Sequence, residues 1–275
     1  DSQPRMVLKT NQGYGRLYKI IPKKGEPFVV NEDHILSLKV TNGIYKPRIQ
    51  SKGDFRGGLR DGQIFNLSVN EYLNKSKWFR QSTKLYRVSI DFPLKEVKMS
   101  PYFLGLWLGD GTKRSTQITT SSLESVDWVE AYACSLGLKP SGGLEPGCWK
   151  VNLTTGYQGG RANKNPPVNW LKEYGVWYRD HVPQDYKINS REIRLQILAG
   201  LIDTDGYYGH GCYEIINIHP QMAADIAFIA RSLGFWASVS SKIINGIKYF
   251  RTIISGNIDI IPCLRIKRQA FPRRQ

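Results

Sequence analysis

Two stretches of the chain repeat one pattern of apolar, small and acidic positions. Residues 103–111 read Phe-Leu-Gly-Leu-Trp-Leu-Gly-Asp-Gly, and residues 198–206, 95 positions later, read Leu-Ala-Gly-Leu-Ile-Asp-Thr-Asp-Gly. Each run is apolar with small residues four apart, Gly105 and Gly109 in one, Gly200 and Thr204 in the other. This predicts a buried helix that ends at Asp-Gly, with Gly111 and Gly206 suited to a left-handed C-terminal cap. A polar two-strand ribbon and a second helix should follow each run. That helix closes at Leu136-Gly-Leu138 in the earlier copy and at Leu233-Gly-Phe235 in the later one. A hairpin comes next. Asn245-Gly246 between alternating runs 237–244 and 247–254 is the strongest turn signal in the chain, and Glu145-Pro-Gly147 is its counterpart. A unit near 95 residues, present twice, is too long for a solenoid repeat and predicts a domain with pseudo-twofold symmetry.

Residues 1–97 do not share the repeat. Alternation predicts strands over 15–21, 27–30, 35–40 and 85–91, and a helix capped by Ser68. Residues 51–63, rich in Gly, Arg and Asp, read as a loop. The domain division that follows is 1–97, mainly β, and 98–275, with repeats of about 98–190 and 191–275.

Charge sharpens this picture. The 275 residues carry 39 Lys+Arg against 23 Asp+Glu, a net +16. Residues 1–98 hold +10 of it, the stretch 99–262 is nearly neutral, and the tail from 263 holds five basic and no acidic residues. A near-neutral body between basic flanks points to a polyanionic partner. No apolar run approaches the roughly 20 residues of a membrane helix, so no membrane partner is expected. Four cysteines without a C-x-x-C pair argue against a zinc ribbon or disulfide framework. His181, His210 and His219 are too scattered for a metal cluster, and Trp107, Trp128 and Trp236 fall on apolar faces suited to core packing.

The duplication singles out Asp110 and Asp205 as the symmetric acidic pair, because Asp203 has Leu108 as its counterpart. Small residues four apart let two helices approach closely. If the two repeated helices pack side by side, their C-termini bring both carboxylates to one face. Like charges there repel each other and the helix dipoles. Bound Mg²⁺ or Mn²⁺ would resolve the conflict, since Mg²⁺ favours one or two carboxylates with water and substrate phosphate. Carboxylates holding metals are suited to phosphodiester hydrolysis.

These residues resemble the paired signature of the LAGLIDADG homing endonucleases; the later copy differs from the namesake only by Thr204. The resemblance spans roughly 98–270 and implies an α+β fold, two αββαββα repeats forming a saddle over DNA. It implies divalent metal at Asp110 and Asp205, and a staggered cut in both strands at a long asymmetric target. The expected protein is a monomer acting on double-stranded DNA inside the cell. The N-terminal region, with His34 in Phe28-Val-Val-Asn-Glu-Asp-His34, looks like an intein block, as do residues 66–93 and the tail from Ile261. Much of 1–97 would then be Hint-like. Asp1 stands where inteins carry a Cys or Ser nucleophile, and the end is not His-Asn. Splicing is therefore not expected of the chain as written.

The resemblance also implies a lysine in each half near the scissile phosphates. In the first half that position is Asp180, with Arg179 or His181 as imperfect substitutes; in the second the candidates are Lys267 and Arg268. For DNA reading, strand alternation after the first motif puts Lys113, Ser115, Gln117 and Thr119 on one face and Arg114, Thr116, Ile118 and Thr120 on the other. The first set is assigned to DNA, with Lys248 and Arg251 from the later hairpin. The altered lysine positions leave open a non-catalytic DNA or RNA binder on the same scaffold, either a decayed endonuclease, a regulator or a maturase. A fragment of a self-splicing intein is the third alternative, carried by His34.

Overall fold

A computed structural model describes residues 6–10, 12–22, 26–41, 59–156, 165–178 and 180–272. The chain divides into two compact units, Arg5–Val88 and Ser89–Gln275. Of the loop expected over 51–63, residues 51–58 lie outside the described set.

In the smaller unit, β1 (Leu17–Ile20) pairs antiparallel with β2 (Phe28–Asn31). β3 (Ile35–Val40) lies between β4 (Ile64–Ser68) and the short β5 (Thr83–Leu85). Its alternation is strict: Leu36, Leu38 and Val40 are buried, whereas Ile35, Ser37 and Lys39 are exposed. The buried set packs with Val69 of α1 (Val69–Leu73) and Phe79 of α2 (Lys77–Ser82). Ser68 caps α1 through a reciprocal box. Its amide donates to Glu71 Oε2 at 2.7 Å, and the Glu71 amide donates to Ser68 Oγ at 3.1 Å. The expected strand over 85–91 is corrected to Thr83–Leu85. The Tyr86 amide still reaches Ser37 O, but Ile90 donates to Ser232 O in the larger unit. Residues 89–97 thus belong with that unit, where Asn189 also brackets Lys95 with two hydrogen bonds.

The larger unit is built on two central helices, α3 (Pro101–Asp110) and α7 (Arg191–Asp205). Residues 101–108 of α3 and nearly all of α7 from Arg194 to Thr204 are buried, which explains the absence of a polar face in the motif. The small residues are where the backbones touch. A Cβ on Gly105 would lie 2.4 Å from Ile197 O, and one on Gly200 would lie 2.4 Å from Tyr102 O. One turn on, a Cβ at Gly109 would collide with the Thr204 side chain.

After α3 come β6 (Ile118–Thr120), α4 (Leu123–Ser135), β7 (Lys139–Glu145), β8 (Cys148–Thr154) and α5 (Pro166–Glu173). The short α6 (Gln184–Lys187) leads into α7. After α7 come β9 (Gly206–Gly209), β10 (Cys212–Asn217), α8 (Pro220–Ser232), β11 (Trp236–Ile244) and β12 (Ile247–Ser255). The sheets run β6-β8-β7 and β11-β12-β10-β9, all antiparallel. The expected α+β class and repeated order are present, with two departures from αββαββα. The first strand after α3 is reduced to a single bridge between Gly111 and Ile118, and two 3-10 turns, Ile258–Ile260 and Ile266–Arg268, follow β12 where a helix was expected. Trp107 is fully buried. Trp128 packs against the core, stacking on Tyr132.

The glycine caps also need correction. Gly111 (φ −79, ψ 139) and Gly206 (φ −77, ψ 145) are extended, not left-handed, because each helix runs directly into extended chain. Glycine is needed there for space. A Cβ on Gly111 would lie 2.1 Å from Trp107 O, and one on Gly206 2.5 Å from Ile202 O. The left-handed glycines are Gly137 (φ 68) and Gly234 (φ 86), which close α4 and α8. In the β11–β12 turn, Asn245 (φ 50) and Gly246 (φ 79) both take positive φ, as the short hairpin requires.

Candidate active site

Asp110 and Asp205 are the last residues of α3 and α7. The close approach along Gly105 and Gly200 carries both helix ends to one place. The Asp110 carboxyl is pushed up to about 6, first by burial and then by the charge of Asp205, with Arg265 pulling the other way. Burial also raises Asp205, although its side chain opens to solvent on one side. Among the described residues neither carboxylate takes a hydrogen bond or salt bridge. The pair therefore has free oxygen ligands and a repulsion that Arg265 offsets only in part, the two properties a divalent cation would use. Among the described residues no set of three His, Cys, Asp or Glu side chains gathers to hold a metal alone. Such a cation would need water or substrate oxygens to complete its shell.

Beneath this pair lies a clamp that the sequence reading missed. Asp203 is buried and accepts the Tyr102 hydroxyl at 2.7 Å, the Leu264 amide at 2.7 Å and the Arg265 amide at 3.2 Å. Burial raises its carboxyl, and these donors hold it down. Arg265 in turn donates to Asp203 O at 2.7 Å and Ser121 Oγ at 3.4 Å. Arg265 is thereby held where its charge acts on Asp110. Nothing in the tail Leu264-Arg-Ile-Lys-Arg268 marks it from its neighbours; only the Asp203 clamp does. Of the two expected cations, Lys267 is exposed on the side of Glu124. Arg268 turns partly inward, its Nε buried without a partner among the described residues. Arg179 lies outside the described residues.

The first DNA-facing assignment is corrected in part. Residues 113–116 form a turn, with Arg114 at φ 62 beneath the Tyr178 ring, so strand alternation does not apply to them. Lys113 instead pairs with Asp180. The Ser115 hydroxyl accepts the Gln117 amide at 3.1 Å, while Thr116 is buried and donates to Leu153 O. Alternation holds from Thr116 to Thr120. Ile118 and Thr120 point inward, and Gln117 and Thr119 are half-open, with Gln117 Nε2 on Thr112 Oγ1 at 3.1 Å. In the other sheet, Lys248 is exposed near the hairpin turn, and Arg251 faces outward in an ion pair with Glu214. His210 (φ 52) is a turn residue, and His34 is exposed in the β2–β3 turn.

Two paired helices thus deliver two carboxylates to one end of the seam, in a unit that also carries two antiparallel sheets. The homing endonuclease family model matches residues 181–250. The chain is 30% identical over 159 residues to the replicative DNA helicase DnaB of Mycobacterium intracellulare, covering 58% of this chain and 23% of that protein. It is 25% identical over 175 residues to the homothallic switching endonuclease of Saccharomyces cerevisiae, covering 55% and 30%. An 81-residue match, 30% identical, is to a component of the A-type ATP synthase of Pyrococcus abyssi, covering 29% and 8%. The chain thus spans less than a third of the length of these curated relatives. Among solved structures, the homing endonuclease I-DmoI in complex with DNA and Ca is similar at 13% identity with a TM-score of 0.42, covering 57% of this chain and 82% of that one.

Proposed function

We propose that this chain is a site-specific DNA endonuclease that hydrolyses phosphodiester bonds with divalent metal at Asp110 and Asp205. The observation that carries it is the pair itself, two carboxylates without hydrogen-bond or ion-pair partners among the described residues, brought together by helix ends so that the charge of Asp205 raises Asp110. The family match over 181–250 supports it, because that segment runs through α7 and Asp205. Metal bound there would polarise the phosphate and lower the pKa of an attacking water. The chain's own residues hold the two carboxylates at a fixed spacing through Gly105 and Gly200. Asp203 keeps Arg265 beside the pair, and the outward faces of β8, β10 and β12 meet the duplex. Incubation with a library of plasmids in Mg²⁺ tests this reading. Defined cuts support it, and retention of DNA without cutting in Mg²⁺ or Mn²⁺ favours the non-catalytic binder instead.

One observation favours a second, compatible reading, that the segment belongs to an insertion element such as an intein. A helicase and an ATP synthase component have unrelated work, yet each shares with this chain only 23% or 8% of its own length. A module carried inside different host proteins would give that pattern. The reading frame on either side of the corresponding gene segment tests it. An uninterrupted host protein that includes this segment in all its relatives would refute it.

A further inference from the structure

An ion cluster that the carboxylate pair does not use lines the cleft beside the end of α3. The cleft, of about 320 Å³, is bordered by Leu108, Gly109 and Gly111 on one side and by Ile216 to His219 on the other. Lys113 and Asp180 project into it. Lys113 Nζ pairs with Asp180 Oδ1, and Asp180 Oδ2 lies 2.8 Å from His219 Nε2. The three side chains come from separate places: the turn after α3, the segment before α6 and the N-terminal boundary of α8. Asp180 is the most enclosed, with 15% of its side chain exposed against 37% for Lys113 and 46% for His219. The carboxylate is thus the anchor, and the two basic groups are its outer partners.

Lys113 is held a second way. Its ammonium lies 4.7 Å from the centre of the Trp107 ring. That ring is buried and fixed by its own Nε1–H on Ser115 O at 2.9 Å. A lysine ammonium has three N–H donors and a mobile stem. One donor on Asp180 and an aromatic face beneath it remove much of that mobility and leave donors for an external anion. Both oxygens of Asp180 face a basic partner, so the residue is committed to holding them.

We propose that Asp180 is a positioning residue and that Lys113 is the phosphate-contacting cation on the Asp110 side of the cleft. The acidic residue at position 180 does not then mark a lost cation; it orients one supplied from 67 positions upstream. This assignment rests on the reading that the cleft meets DNA.

The test uses the full chain with Lys113→Met, Lys113→Gln, Asp180→Asn and Asp180→Lys. Duplex binding is first titrated against salt without added divalent metal. Lys113→Met should lower the slope of log affinity on log salt by about 0.9, the share of one phosphate contact, and Asp180→Asn should not. If Lys113→Met fails to fold, Lys113→Gln is read in its place. Cleavage is then compared on the selected target. Asp180→Asn should lower kcat about tenfold with KM within twofold, and Asp180→Lys should lower it further by crowding a second ammonium against Lys113. Higher cleavage in Asp180→Lys would overturn the proposal, because it would identify position 180 as a vacant cation site. An unchanged salt slope in Lys113→Met would overturn it as well. A parent protein that binds duplex but cuts it in neither Mg²⁺ nor Mn²⁺ refutes the endonuclease reading alone, since the salt slopes still decide the role of Lys113.

Discussion

Replacing Gly200 by Ala should force the two central helices apart at their closest point. The added Cβ would stand 2.4 Å from Tyr102 O, 2.8 Å from Leu106 N and 2.9 Å from Gly105 Cα. All three are backbone atoms, so no side chain can swing away. Ordinary contact begins near 3.4 Å, which requires a shift of about 1 Å along a seam otherwise packed to native density. Overpacking of this kind destabilises by about 1–3 kcal/mol, partly offset by the better helix propensity of Ala, about 1 kcal/mol. The net cost is then up to about 2 kcal/mol, and for a unit of this size each kcal/mol lowers Tm by about 2–4 °C, so a loss of up to roughly 8 °C is expected by calorimetry. The same shift moves Asp110 against Asp205, and misplacement by 1 Å can lower turnover about a hundredfold. Gly143→Ala is the control, because nothing lies within 4 Å of its Cβ and its φ is ordinary. A Gly200→Ala protein that melts with the parent and cuts at the parental rate would refute the seam as the device that spaces the carboxylates.

Three further outcomes are expected. Asp110→Asn or Asp205→Asn should reduce cleavage by at least about a hundredfold while metal-free DNA affinity holds or rises, which nitrocellulose binding and plasmid cutting together would show; a double variant that cuts normally would exclude the pair. The metal-free protein should be most stable in acid with respect to Asp110. Its folded pKa, raised from 3.8 to about 6, gives stability that is complete below the unfolded value and is lost as pH rises through about 6. The span is at most about 3 kcal/mol and smaller because the group is partly open to solvent, and melting from pH 4 to 7 in chelator should show a steeper slope in the parent than in Asp110→Asn, where Asp203 and Asp205, also raised by burial, supply what remains. Ser68→Ala removes the capping box of α1 and should destabilise the Arg5–Val88 unit by about 1 kcal/mol, measurable as earlier amide exchange there and not in α3 or α7.

Features set by a few neighbouring residues were legible in the chain. Asn245-Gly246 turns the hairpin, Gly137 and Gly234 close their helices, and the period-two pattern of residues 35–40 buries Leu36, Leu38 and Val40. The four-residue spacing of Gly105 with Gly109 and of Gly200 with Thr204 also reported the helix contact, because small residues at that interval let two backbones touch. Features set by distant residues were not legible. Alternation over 113–120 failed at Arg114, whose positive φ breaks the strand before it starts. Gly111 and Gly206 carry the signature of a left-handed cap, yet the requirement is clearance from the preceding helical turn. Arg265 is one of three basic residues in four positions, and only the Asp203 carboxylate, 62 residues away, distinguishes it. Asp180 reads as a missing lysine until Lys113 is seen on its carboxylate.

The pairing of Gly109 with Thr204 makes the two copies of the motif unlike partners. A notch on one helix receives a knob from the other, where even a Cβ at position 109 would meet the Thr204 side chain at 2.0 Å. Two copies of the earlier segment would face notch to notch and leave a void; two copies of the later one would face knob to knob and collide. If the chain were severed between α5 and α6 and the pieces expressed apart, each piece would therefore prefer the other to itself. A duplicated gene whose halves first met as equals would, through one such substitution, have been committed to mixed partnership, and afterwards each half could diverge in what it contacts without losing its mate.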